Sequence, residues 1–252
     1  MTAISVRRLS LAAVAAIVIG MIASASAFAT EAYMKVQKEG KVTTLASGET
    51  RSQTISLPGE GRLYMPSVGV TIACTSAKGS GTIYNNYVGS TREEGRLKSA
   101  TITFESCSVV GNSGCYINGA ISGAGKITTN TLAARLGYQP GSSEDIEALL
   151  YPEVSGKAFT TITISECVLE DVYAIKGQLV AGIGPANTFM AESVQGVVAN
   201  SSEVQELKTI EFPGQKESLT GQELKFGTKG VAVEGALDLV LSGGEELGYF
   251  DS

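Results

Sequence analysis

Apolar and polar side chains alternate through most of this chain beyond its first thirty residues. Ala100, Ile102 and Phe104 alternate with Thr101, Thr103 and Glu105, and Ile162 and Ile164 with Thr161, Thr163 and Ser165. Tyr173, Ile175, Leu179, Ala181 and Ile183 share one side of a longer segment whose other side carries Lys176 and Gln178. Val231, Val233, Leu237, Leu239 and Leu241 lie opposite Glu234 and Asp238. A period of two marks half-buried strands, because successive side chains point to opposite faces of a sheet. Turn formers separate the segments: Pro58-Gly59-Glu60-Gly61, Gly111-Asn112-Ser113-Gly114, Pro140-Gly141-Ser142-Ser143 and Ser242-Gly243-Gly244. Many short strands with such punctuation predict an all-β fold, an antiparallel sandwich or barrel.

Two segments carry a competing helical signal. Residues 130–137 offer an N-cap in Asn130 and a terminal glycine in Gly137, enough for two turns. Residues 142–151 offer serine caps, acids in the first turn and Pro152 as a stop, although 147–151 reads equally as a strand. Both signals are weak, and little helix is expected outside the export signal.

The N-terminus reads differently. Arg7 and Arg8 precede an apolar run over 9–22, followed by the small-residue sites Ala25-Ser26-Ala27 and Ala27-Phe28-Ala29. A basic start, a run short for a membrane span and an A-x-A site describe an export signal over residues 1–29. The arginine pair lacks the flanks of a twin-arginine motif, and no cysteine at the cleavage site offers a lipid anchor, so general secretion is expected. What remains, 30–252, is expected to be one β-rich domain, with 199–203 as the best candidate for a subdivision. No second long apolar stretch follows, so the mature chain should carry no transmembrane segment. It is expected to be secreted or held at the cell surface.

Charge and composition then narrow the chemistry. Net charge is −6 with 17% charged residues, which argues against nucleic acid and anionic membrane surfaces. The 252 residues include no histidine, which removes the commonest general base and metal ligand. Ser-His-Asp and Cys-His triads and His-ligated zinc or haem are excluded with it, and no cofactor or metal is expected. Tryptophan is absent too, which weakens a sugar-binding platform, although nine tyrosines keep one open.

Cys74, Cys107, Cys115 and Cys167 all lie beyond the export signal, as disulfides require. Their spacings contain no C-x-x-C pair, so disulfides are favoured over a metal site. The preferred pairing is Cys107 with Cys115, closing a tight loop, and Cys74 with Cys167. Cys74–Cys107 with Cys115–Cys167 has comparable loop-closure entropy, so energetics does not choose. Gly123-Ala124-Gly125-Lys126 looks like the end of a phosphate loop, but Ala120 stands where a glycine is due and Ile127 where Ser or Thr should follow. Acid clusters occur at Glu93-Glu94, Glu144-Asp145, Glu166 with Glu170-Asp171, and Glu245-Glu246. Paired carboxylates cleave glycosides without histidine, but no spacing here predicts two converging in a cleft. Nor is there a D-x-D-x-D-G calcium loop.

Ile72-Ala73-Cys74-Thr75-Ser76-Ala77-Lys78-Gly79-Ser80-Gly81, Thr103-Phe104-Glu105-Ser106-Cys107, and Lys126-Ile127-Thr128-Thr129-Asn130-Thr131-Leu132 with Leu136-Gly137-Tyr138 resemble a set of uncharacterised secreted β-rich proteins of actinobacteria. The resemblance spans 71–185, roughly half of the mature chain. It implies an exported β protein without established activity or site residues, and it favours the Cys107–Cys115 pairing. The expected function is therefore structural or binding and non-enzymatic, toward cell-envelope or extracellular components. The alternative is a small-ligand or carbohydrate-binding module using Tyr84, Tyr87 and Tyr116. The third reading is a carboxylate-dependent hydrolase, in which Glu105, Glu166 and Asp171 would be the acids to test.

Overall fold

The computed structural model describes residues 31–88, 91–142, 144–190, 194–198, 200–201, 204–212 and 215–250. The expected export signal lies outside these residues, as do 199, 202 and 203 of the candidate subdivision. The chain opens with β1 (Tyr33–Lys38), β2 (Lys41–Thr44), β3 (Arg51–Ser56) and β4 (Gly61–Met65), then two long strands, β5 (Val70–Val88) and β6 (Thr91–Val109). Next come β7 (Tyr116–Ile117), β8 (Ala120–Ile121), β9 (Gly125–Thr128), β10 (Leu132–Tyr138), β11 (Asp145–Pro152), β12 (Thr160–Ser165), β13 (Asp171–Lys176) and β14 (Leu179–Pro185). The last part holds β15 (Thr188–Met190), β16 (Val194–Val198), β17 (Asn200–Ser201), β18 (Val204–Gln205), β19 (Thr209–Phe212) and β20 (Gln215–Ser218), then β21 (Lys225–Phe226), β22 (Lys229–Gly230), β23 (Ala232–Leu241) and β24 (Glu246–Phe250).

Eight of these strands close a ring. β3 pairs with β5, β5 with β6, β6 with β10, β10 with β11, β11 with β14, β14 with β16 and β16 with β23, which returns to β3. Every pairing is antiparallel, and the order around the ring is the order along the chain, so the ring is an up-and-down barrel. Two staves are built from two strands each. After a break at 57–60, β4 continues the line of β3 along β5 and β23. Likewise β9 precedes β10 along β6.

Alternation decides which side chains enter the barrel. Ala100, Ile102 and Phe104 of β6 point inward, while Thr101, Thr103 and Glu105 keep contact with water. β5 and β6 approach closely because of small residues. A Cβ at Gly79 would sit 2.5 Å from the Thr101 carbonyl oxygen, and one at Gly81 2.7 Å from Leu97 Cδ1.

Sheets close both ends. At the end named the top here, β15, β24, β1 and β2 form a sheet whose Met34, Val36, Leu247 and Tyr249 pack with Ile83, Leu136, Ile146 and Leu241 of the barrel. At the bottom, β22, β21, β13, β12, β7 and β8 form a second sheet, and its Ile117, Ile162, Ile164 and Ile175 pack under Ile72, Val109, Ile127 and Leu179. The β19–β20 hairpin lies outside, where Ile210, Phe212 and Leu219 cover the outward-facing Leu149 and Val180.

The structure decides the competing helical signals in favour of strands and corrects two other expectations. Residues 132–138 and 145–152 are strands β10 and β11, not helices; their alternation serves a wall with an inside and an outside, which overrides the helical propensity of the alanines. The segment through Tyr173 and Ile183 is not one strand. It turns at Gly177 (φ 117), where a Cβ would meet the Glu223 carbonyl oxygen at 2.2 Å, and so passes from the bottom sheet in β13 to the barrel in β14. The disulfides are Cys74–Cys107 and Cys115–Cys167, not the favoured pairing. The reason is register: Cys74 and Cys107 are direct partners across the long β5–β6 hairpin. Cys115 is then left to join the β7 excursion to the turn after β12.

Candidate functional site: an apolar cavity inside the barrel

The barrel interior is incompletely filled. A cavity of about 150 Å³ runs along its axis between the two end sheets. The space arises from side-chain size. Ala100, Ala134, Ala148 and Ala181 face the lumen from four successive staves, β6, β10, β11 and β14, where larger residues would meet at the centre. Ile102, Phe104, Leu150, Ile183, Leu237 and Leu239 are among the larger side chains of the wall, with Met34 and Tyr249 at the top and Phe159 and Ile162 at the bottom. An eight-stranded barrel has an interior that side chains just fill or that is roomy enough for one small ligand; here the side chains leave part of it unfilled.

Few polar groups reach the lumen. Thr129 Oγ1 accepts the Ile102 N–H at 3.0 Å, and Thr160 Oγ1 donates to the Thr128 carbonyl at 2.9 Å, so both hydroxyls serve the wall. Gln53 differs. It lies on β3 between Gly81 of β5 and Leu241 of β23, is 2% exposed, lines the cavity, and its Oε1 accepts no hydrogen bond. Nothing in the composition singled it out. The signal was positional: in Gln53, Ile55 and Leu57 a polar residue holds an inward position of the alternation.

The wall is thinnest where β3 breaks before β4. There Gly235 to Leu237 of β23 pair with β16 but have no partner on the β3–β4 stave. Leu57 spans the gap from inside, its N–H donating to the Ala77 carbonyl at 3.3 Å. Gly61 and Gly235 face each other across it: a Cβ on Gly235 would lie 3.3 Å from Gly61 Cα. Gly61, Arg62, Glu234 and Gly235 all line the cavity, which therefore reaches the surface here. Tyr64 Oη donates to Glu234 Oε2 at 2.6 Å beside this gap, and that carboxylate holds the phenol above its usual range.

The residues weighed from sequence lie elsewhere. Tyr84 sits beneath Lys98 Nζ, 5.0 Å from the ring centre; the Tyr87 hydroxyl donates to the Leu45 carbonyl; Tyr116 belongs to the bottom sheet. They form no shared platform. Glu105 accepts Lys126 Nζ at 3.0 Å and Lys78 Nζ at 3.2 Å, and these cations hold its carboxyl below the usual range. Lys126 of the phosphate-loop-like segment is thus an ion-pair partner. Glu166, Glu170 and Asp171 are exposed around a turn of the bottom sheet. Asp145 accepts Ser142 Oγ at 2.9 Å, and Glu245 pairs with Arg51 at 2.7 Å. Glu94 is buried on the outer wall between Arg96 and Arg135, and the Arg135 guanidinium stacks 4.0 Å from the centre of the Phe212 ring.

One acid does stand apart. Glu147 on β11 is 2% exposed, faces away from the lumen, and its Oε2 has no partner. Burial, helped by nearby Asp145, pushes its pKa up to about 7. Among the described residues no three metal-ligating side chains gather, and no helix is long and apolar enough to cross a membrane.

The chain matches no protein-family model, no curated protein and no solved structure.

Proposed function

We propose that this chain is an exported, non-enzymatic binding protein that holds one small, largely apolar molecule inside its barrel. The observation that carries this reading is the cavity of about 150 Å³, walled by apolar side chains and made by four alanines on adjacent staves. An apolar void of about this size in another protein takes up benzene, so the guest has roughly six to eight non-hydrogen atoms. The break between β3 and β4 is its doorway, with Leu57 as the side chain that must swing aside. The disulfides suit an oxidising compartment, and the absence of histidine together with the scattering of the acids over ion pairs and exposed turns supports binding without turnover.

The test is a titration with toluene and other molecules of its size, followed by methyl NMR. Saturable shifts should be confined to lumen residues such as Ile102, Leu150 and Ile183. A response that never saturates, or that maps to the outer surface, would defeat the proposal. Export is checked separately: the protein isolated from its native host should begin at Phe28 or Thr30, and an intact Met1 would refute it.

A further inference from the structure

We infer that Gln53 is the recognition residue of this cavity and that the bound molecule is an apolar compound carrying a hydroxyl group, not a hydrocarbon. The inference rests on the binding role proposed above and adds to it the chemical class of the guest. Its basis is an accounting of polar atoms. A buried carbonyl oxygen without a donor costs free energy comparable to a lost hydrogen bond, so such atoms are rare in folded proteins. Here one is placed in the wall of an apolar cavity, at a position where the alternation of β3 calls for an aliphatic side chain like the neighbouring Ile55 and Leu57. The other buried polar groups of the wall, Thr129 and Thr160, are already committed to backbone partners.

The position also favours directionality. Gly81 beside Gln53 has no side chain, and Leu241 on the other side cannot hydrogen-bond, so neither flanking side chain competes for the amide oxygen. Among the described residues that line the cavity, Gln53 Oε1 is the buried acceptor left without a donor, so a ligand hydroxyl entering the lumen would bond there, with mostly aliphatic contacts around the rest of its surface. That is the arrangement expected of a small-molecule site, in which apolar walls give affinity and a few polar groups fix orientation.

The experiment compares phenol, toluene and anisole, which have similar shapes but respectively a donor, no polar group and an acceptor only. Each is titrated into the wild type and into Gln53→Leu and Gln53→Met, with lumen methyl shifts as the readout and circular dichroism to check folding. Losing one net hydrogen bond corresponds to about a tenfold loss in affinity. Both substitutions should therefore weaken phenol about tenfold, leave anisole nearly unchanged, and leave toluene unchanged or improved. Equal effects on phenol and toluene, or an anisole loss matching that of phenol, would overturn the role of Gln53 while leaving a binding cavity in place. A phenol affinity that ignores the substitutions would mean that water occupies the amide, which also overturns it. If none of the three binds any of the proteins, the binding role itself fails.

Discussion

Asn85 and Met34 grip each other reciprocally. The Met34 N–H donates to Asn85 Oδ1 at 2.8 Å, and Asn85 Nδ2 donates back to the Met34 carbonyl at 2.9 Å and to the Leu45 carbonyl at 3.1 Å. The β1–β2 pairing stops at Lys35 and Thr44, so one buried amide on the barrel takes the place of a strand partner at Met34 and ties the top sheet to the barrel over the cavity. Asn85→Leu would leave the Met34 N–H and carbonyl unpaired, while the Leu45 carbonyl keeps the Tyr87 hydroxyl. We expect a loss on the order of 3 kcal/mol, and faster amide exchange at Met34 in β1 than in the bottom sheet. A uniform rise in exchange would show that Asn85 supports the whole fold, not the top sheet.

Glu147 predicts an unusual pH profile. Its pKa is raised from 4.5 to about 7 in the folded chain, so between those values the native state holds a proton that the unfolded state has released. Stability attributable to this group is greatest below pH 4.5 and falls as pH rises through 7, by an amount on the order of 3 kcal/mol. Glu147→Gln should flatten that slope and make the protein more stable than wild type at pH 8. Denaturant midpoints from pH 5 to 8 check this, and parallel curves for the two proteins would contradict it.

The cavity predicts a gain from filling. Ala148→Leu adds apolar volume where Ala148 faces Leu136 and Ala181. We expect about 1 kcal/mol of added stability, or roughly 2–4 °C in Tm, together with loss of toluene binding. A fall in Tm would indicate that the wall has no room to accept the larger side chain.

The disulfides can be mapped directly. Thermolysin cutting at Val109 or Val110 separates Cys107 from Cys115, and without reduction Cys107 should remain attached to the Cys74 peptide. A peptide pair linking Cys74 to Cys167 would contradict the structure. Replacing Cys115 and Cys167 by alanine should cost about 2–4 kcal/mol and loosen the bottom sheet first.

The doorway predicts a kinetic effect. Gly61→Val would place methyl groups against Leu57, whose Cδ2 lies 3.4 Å from the position of a Cβ. Ligand exchange should slow at least several-fold, with affinity nearly unchanged. Unchanged exchange rates would put the doorway elsewhere.

Much of this architecture was legible in the order of side chains. Ile102 and Phe104, and Ile162 and Ile164, occupy the interior that their alternation assigns them. Local reading failed where distant partners decide. Ala133 and Ala134 look helical in isolation, yet β10 must complete hydrogen bonds to β6 and β11. The alternation through Tyr173 and Ile183 survives the turn at Gly177 because both strands bury their odd-numbered residues, so nothing in the pattern marks the change of sheet. Cys107 and Cys115 are close along the chain, but only the register of a hairpin with nineteen-residue arms aligns Cys107 with Cys74. The cavity itself was hidden, because an alanine facing a void and an alanine in a filled core have the same pattern. Gln53 is a polar residue in the short alternation of Gln53, Ile55 and Leu57 that the longer patterns overshadow, and it takes the closed barrel to give it a neighbourhood.

The seam of the ring lies between β3 and β23, where Ser56 meets Asp238. A ribosome must therefore deliver nearly the whole chain before the first stave finds its last neighbour. Until then β3 presents a raw edge, open to pairing with any other extended segment, and closure must wait on a very long-range encounter, the kind that makes β topologies slow to form. A nascent chain stalled before β23 should therefore be protease-sensitive and prone to stick to its copies.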